Sequence, residues 1–322
     1  MQTVNILKVS NLYFKQGKII VTYLRFFFAL FILSNATIVV AEERIFLGHS
    51  WYISNDSIGD YHDRWQSSSV QTSIFFGPEW SGKTSGEYGE ILEFRIRADH
   101  LTPERLVFPR HDDRRHAGVL SFGVHSHMSK GAWDIVLGGD VVVIGPQTGL
   151  LDFQTKLHEI LGFTIPQLDG FQIEDQVQLN LAGEVGRSWV FGQKSVRPFV
   201  EGAVGPEDYL RLGVDVTFGD LGQDSLFTRA HATGQRTPAL RIGKQIQTAF
   251  TLGFDSAYVA DSVYLPSRFG HELTPLRHRI RANFHRSWRH YTLSYGLTWL
   301  SPEFEAQRSG QFVGTIGIAH RF

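Results

Sequence analysis

Beyond residue 41 the chain has no apolar run of the roughly 18–20 residues that a spanning helix needs, yet apolar and polar residues alternate again and again with a period of two. The clearest instance sets Tyr291, Leu293, Tyr295, Leu297 and Trp299 against Thr292, Ser294, Gly296 and Thr298. Phe312, Ile316, Ile318 and Phe322 against Gln311, Thr315, Gly317 and Arg321 follow the same rule, as do Leu210 to Phe218 and Phe250 to Asp255. Side chains on a strand point alternately to its two faces, so such segments build a sheet with unlike sides. If a chain of this kind enters a membrane, it crosses as strands and closes on itself, because hydrocarbon leaves no unpaired backbone group satisfied.

Twelve strands follow from this reading: Leu47 to Ser54, a second ending near Gly77, Gly89 to Arg97, Ala117 to His125, one opening at Trp133, and Val177 to Trp189. Then come Val196 to Gly202, Tyr209 to Phe218, Phe250 to Asp255, the charged Arg277 to Arg286, Tyr291 to Trp299, and Phe312 to Phe322. The polar segments Ala98 to His116 and Gly219 to Ala239 read as loops. The expected fold is all-β, a twelve-stranded antiparallel transmembrane β-barrel with a short helix between strands 5 and 6. Apolar side chains would face lipid, small and polar ones the interior, with Trp299 and Tyr291 in the interfacial belts. A soluble β-sandwich also alternates. Long strands, almost wholly aliphatic or aromatic outward faces and a phenylalanine at residue 322 favour the barrel, and the last points to the barrel assembly machinery as a partner in biogenesis.

Composition is compatible with this fold. The 32 glycines and 13% aromatics suit a closed barrel with aromatic girdles. A formal net charge of −1 leaves no footprint for nucleic acid, and the lack of cysteine excludes disulfides and thiolate metal ligands. Lys15, Lys18 and Arg25 precede the apolar run Phe26 to Leu33, and Val39-Val40-Ala41 offers a cleavage point. Residues 1–41 therefore read as a secretory signal peptide and 42–322 as the barrel. Ser34, Asn35 and Thr37 interrupt the run and disfavour a retained anchor.

The chemically suggestive stretch is Trp133 to Gly162. Its strand ends in the loop Ile144-Gly145-Pro146-Gln147-Thr148-Gly149; Phe153, Leu157, Ile160 and Leu161 then fall at helical spacing, with Gln154 and His158 one turn apart on a neighbouring face. Histidine suits a general base acting near neutral pH. Asn55-Asp56 with Ser67, and the run Asp112-Asp113-Arg114-Arg115-His116, are the other polar groupings. Asp56 could hold a hard cation such as calcium through oxygen, while Asn55 could donate to an oxyanion. Each grouping also has a plain reading, as a turn, a solvated ion-paired loop or polar strand surface.

In four ordered blocks the chain resembles the outer-membrane lipid A 3'-O-deacylases, over about residues 47 to 322. The first is Asn55-Asp56 followed by Asp63-Arg64-Trp65-Gln66-Ser67, where that family has Asn-Asp and then Asp-Arg-Tyr-Tyr-Thr. The second, Asp113-Arg114-Arg115-His116-Ala117-Gly118, is similar to Asp-Arg-Pro-Tyr-Ala-Gly. Gly145-Pro146 through Gln154 to His158, and Glu303-Phe304-Glu305-Ala306-Gln307, complete the set. The resemblance implies a twelve-stranded outer-membrane barrel that hydrolyses the ester of the 3' acyloxyacyl chain of lipid A with Ca2+. It makes His158 the base that activates water, Asn55 and Asp56 the essential pair, Ser67 a hydroxyl of the same site, and Asp56 and Gln154 the expected metal ligands. The substrate would be lipid A or lipopolysaccharide, met from the surrounding outer-membrane lipid. Two departures stand out: Thr164 occupies the position of a glutamate found in one branch, leaving Glu159, Asp169 or Glu174 as substitutes, and Gln66-Ser67-Ser68-Ser69 replaces Tyr-Thr-Asn-Gly. A catalytically inactive lipid-binding or structural barrel, a phospholipid esterase and a small pore are the competing readings. The pore is disfavoured by the absence of an evident charged ring on the inward faces.

Overall fold

A computed structural model describes residues 44–84, 86–219, 224–243 and 245–321. The expected signal peptide and Phe322 lie outside them. Strands β1 (Ile45–Asn55), β2 (Trp65–Gly77), β3 (Ile91–Thr102), β4 (Ala117–Lys130), β5 (Trp133–Ile144) and β6 (Gln176–Arg187) follow one another. After them run β7 (Trp189–Phe191), β8 (Lys194–Val204), β9 (Glu207–Gly219), β10 (Ser225–Arg229), β11 (Arg236–Arg241), β12 (Gln247–Ser262), β13 (Leu276–Trp288), β14 (Tyr291–Leu300) and β15 (Gln311–Arg321). One helix, α1 (Leu150–Leu161), lies between β5 and β6.

Sequential antiparallel pairing runs through the sheet, and it closes where Gly48 to Asn55 of β1 pair with Arg321 to Gly314 of β15. The short β7 prolongs β6 past Ser188, since both pair with β8. The barrel thus has the twelve staves expected. The interruption at Ser188 and the longer reach of most strands refine the boundaries. Leu252, Ile280, Leu293 and Ile318 are among the exposed apolar side chains on the outer wall, where lipid covers them.

The arginine-rich segment that alternates poorly in sequence becomes β13, with Arg277, Arg279, Arg281, Asn283 and His285 all turned inward. They meet carboxylates of the neighbouring strands β12 and β9. Asp255 lies 2.9 Å from Arg279 and 3.3 Å from Arg211, and Asp215 lies 2.9 Å from both Arg281 and Arg229. The interior, expected to hold small and polar residues without an evident charged ring, is densely charged but ion-paired. In low dielectric a paired charge persists where an isolated one is prohibitively costly.

A second correction concerns Gly219 to Ala239. This segment is largely the β10–β11 hairpin, folded into the lumen rather than left as a loop. Its polar side chains match a polar interior, so no apolar stripe betrays it. Gln235 donates to Thr298 Oγ1 at 2.9 Å, Tyr52 donates its hydroxyl to the Thr228 carbonyl at 3.0 Å, and Arg229 bonds Glu184 at 2.6 Å. Leu226, Ala239 and Leu240 join Leu47, Phe75 and Ile91 in an apolar cluster at its base. Beside the hairpin a cavity of about 1070 Å³ remains, lined by charged residues such as Arg95, Asp140, Glu184 and Arg197.

Candidate active site

All of the proposed site residues sit on the rim that carries α1, opposite the rim where residues 45 and 321 lie. Long loops characterise the outer face of such barrels, and the loop bearing α1 is the longest described connection on this rim. Gly145 enters that loop at φ 102°, with Asp175 where a Cβ would stand; the Asp175 carboxylate then accepts from Gln147 N at 2.8 Å. Only glycine fits that close approach. The helix ends at Gly162, φ 73°, whose backbone N–H returns to the His158 carbonyl.

The helix is inside out by soluble standards. Gln154 and His158 are its buried residues, while Phe153 is 61% and Ile160 81% exposed. The apolar stripe faces the lipid side and the polar face packs against the rim. Where the loop returns to the barrel, Ile173 packs with Leu101, Ala117, Val119, Val142 and Ile144.

Asp63 is the hub. Its Oδ2 lies 3.3 Å from His158 Nε2, Gln154 Nε2 approaches both of its oxygens at 3.4 Å, and the Ser67 hydroxyl donates to its Oδ1. On the other side of the ring, His158 Nδ1 lies 2.6 Å from the Thr164 carbonyl. A carbonyl only accepts, so Nδ1 carries the proton, and in the neutral ring Nε2 holds the free lone pair. Ser67 reaches Asp63 because a β-bulge interrupts the β2–β3 register between Gln66 and Ser68. Such a bulge re-aims one side chain next to a site.

Asn55 and Asp56 are one step removed. Asp56 Oδ2 accepts from Arg64 N at 2.7 Å, on the residue next to Asp63, and Asn55 Oδ1 caps the turn by accepting from Ser57 N at 2.7 Å. Burial, reinforced by Asp63 and Asp60, pushes the Asp56 carboxyl up to about 8. The structure thus brings His158, Gln154 and Ser67 together through Asp63 and sets the Asn-Asp pair beside them; among the described contacts, neither Asn55 nor Asp56 touches His158.

Asp63 and His100 have no role in the sequence reading. Asp63 stands in the first motif block, and the presence of a carboxylate between the Asn-Asp pair and Ser67 was the available signal. His100 was hidden because Ala98 to His116 read as a loop, whereas β3 extends to Thr102. Asp99, within that expected loop, faces inward and pairs with Arg97, the last residue of the expected third strand, at 3.1 Å. His100 is buried at the rim, its ring 6.1 Å from that of His116. The carboxylates suggested as substitutes at Thr164 do not reach His158: Glu174 pairs with Arg268 at 2.9 Å, and Glu159 and Asp169 are exposed. In the second block Arg114 pairs with Glu303 of the fourth, and Arg115 stacks on Phe269 at 3.8 Å.

For a cation, oxygen is what this rim supplies. Among the described residues no three histidine or acidic side chains gather closely enough to hold a metal alone. Gln154 Oε1, however, is buried without a hydrogen-bond partner, and Asp56, Asp60 and Asp63 crowd one turn. Asp60 is already paired with Arg64 at 3.1 Å, so Asp56, Asp63 and the orphan amide oxygen are the side-chain oxygens that fit a hard cation also taking backbone carbonyls.

A closed antiparallel barrel, apolar outside, charged and plugged inside, with a histidine–carboxylate centre on its helix-bearing rim, defines an outer-membrane β-barrel protein with an enzyme-like site. The profile of the family described as outer membrane protein LpxR matches residues 26–322, and the chain belongs to that family. Its structure is similar to that of LpxR from Salmonella typhimurium at TM-score 0.71 and 17% identity, over 85% of this chain and 100% of that one. Matches to the KdgM porin (TM-score 0.39, 8% identity, 85% and 99% covered) and to the β domain of the Bordetella autotransporter BrkA (0.43, 12%, 87% and 100%) are far looser. Among curated proteins none matches the chain.

Proposed function

We propose that this protein is a lipid A-modifying enzyme of the outer membrane, and specifically a calcium-dependent hydrolase of the 3'-linked acyloxyacyl ester. Family membership and outer-membrane location support the coarser reading. The observation that carries the finer one is the His158–Asp63 pair at 3.3 Å, with Nδ1 of the ring held by the Thr164 carbonyl. That tautomer aims the Nε2 lone pair at the site, where it takes a proton from water as the water attacks the ester carbonyl. Asp63 then faces the imidazolium and offsets its charge. Proton return from Nε2 to the departing sugar oxygen completes hydrolysis. Asp56, Asp63 and Gln154 are the side chains that would hold calcium, with Ser67 bracing Asp63. When bound, the ion would polarise the carbonyl and offset the oxyanion. Asn55 stands beside this group as a donor, once its amide turns from the capping role of its oxygen.

Purified protein in lipid A-containing vesicles, with calcium, is expected to release one acyloxyacyl group, read as the corresponding mass loss in lipid A. His158→Ala is expected to lower that rate by about 10²–10⁴-fold while the barrel stays folded. Unchanged lipid A across native acylation patterns would count decisively against the reading. A silent lipid-binding barrel is the second reading, favoured by a backbone carbonyl at Thr164 where a carboxylate is expected; lipid A retention without turnover would establish it.

A further inference from the structure

The lipid-facing wall near α1 carries a notch. Outward-facing residues of β3 to β6 form cross-strand rows, one of which is Ile96–Phe122–Val141–Leu179. The next row away from the rim is Phe94–Val124–Gly139–Leu181. Gly139 leaves that row without a side chain between bulky neighbours, and the resulting groove encloses about 610 Å³. Nothing polar points into it: the side chains of Asp140 and Asn180 bond each other at 2.9 Å within the barrel. Upward, the wall is low at Ala98, and four residues above Ile96 on the same strand face stands His100 beside the site. That separation is about 14 Å along β3.

We infer that this groove seats an acyl chain of the lipid A molecule whose headgroup is presented at the rim, an inference that rests on the function proposed above. An ester held between α1 and the rim has its hydrocarbon directed down this wall, because the groove lies under the site and within the apolar band. Transfer from water contributes nothing there, since lipid tails already surround the wall. Selection comes from packing: a chain in a concave groove gains contacts that a flat, evenly studded surface does not offer. Gly139 and its neighbours Val124 and Leu181 are then specificity-determining residues for chain shape.

The chain has no cysteine, so Leu179→Cys at the groove edge, and Ile280→Cys at similar depth on β13, can each carry a single benzophenone. In phosphatidylethanolamine vesicles containing a minor fraction of lipid A, photocrosslinking to lipid A at 179 is expected to exceed its bilayer share about fivefold. At 280 it should match that share. Val124→Trp, which fills the groove from the lipid side, should abolish the excess at 179. Equal yields at both positions, or an excess that survives Val124→Trp in a barrel shown folded by gel mobility, would overturn the inference. Deacylation measured in the same vesicles separates the two ideas: excess without turnover keeps the groove and sinks the esterase, while turnover without excess does the reverse.

Discussion

Asp63 gathers His158, Gln154 and Ser67 in one set of contacts, so removing its charge disconnects three residues while leaving their positions filled. Asp63→Asn is expected to fold normally and to lose about 10²-fold or more in turnover, with a smaller change in lipid A retention. A turnover equal to that of the unaltered protein would make Asp63 a mere brace. His116 gives a prediction of a different kind. Burial first, then His100 and Arg114, lower its folded pKa to about 3 from 6.5. The unfolded rim binds the proton more readily, so stability is complete above about pH 6.5 and falls as pH drops toward 3. Hydrogen exchange in residues 103–116 and 170–174 should accelerate over that window, and His116→Phe should flatten the response. At this scale the sequence revealed the histidine base and the Asn-Asp pair by residue type and motif order. It did not reveal the hub, because Asp63 owes its role to a contact with Gln154, 91 residues away.

Among the elements, α1 and the luminal hairpin mark the two ends of legibility. The helix was readable because Phe153, Leu157, Ile160 and Leu161 keep helical spacing, yet its orientation was not: only a lipid surface makes the apolar side the exposed one. Its end depends on Gly162 at φ 73°, where a Cβ costs about 1 kcal/mol. Gly162→Ala should therefore loosen the turn that brings the Thr164 carbonyl to His158, seen as a fall in turnover larger than any fall in barrel stability. The hairpin was unreadable because its polar residues answer a polar lumen. Arg229 holds it, reaching Glu184 at 2.6 Å and Asp215 at 2.9 Å. Arg229→Ala removes these bonds but leaves Glu184 with Arg197 at 2.7 Å and Asp215 with Arg281 at 2.9 Å, so a loss of about 1.5–3 kcal/mol in urea unfolding is expected. A change below about 1 kcal/mol would mean that the lumen is wet enough to screen them.

For the whole molecule, the hairpin and the ion-paired interior bear on transport. With β10 and β11 in place, conductance in planar bilayers should be small; replacing residues 225–241 by a short linker should raise it if the remaining barrel folds. Undiminished closure after that change would show that the side-chain network alone seals the lumen. The fold class and strand number were fixed by the sequence, because the two-residue period is a local property and outward apolar faces leave a chain without spanning helices few ways to enter a bilayer. The turning of β13 arginines onto Asp255 of β12 and Asp215 of β9, and the meeting of residue 63 with residue 158, depended on how the strands pair and curve into a barrel. Those pairings join residues far apart in the chain, and no local pattern encodes a distance that only a closed sheet sets.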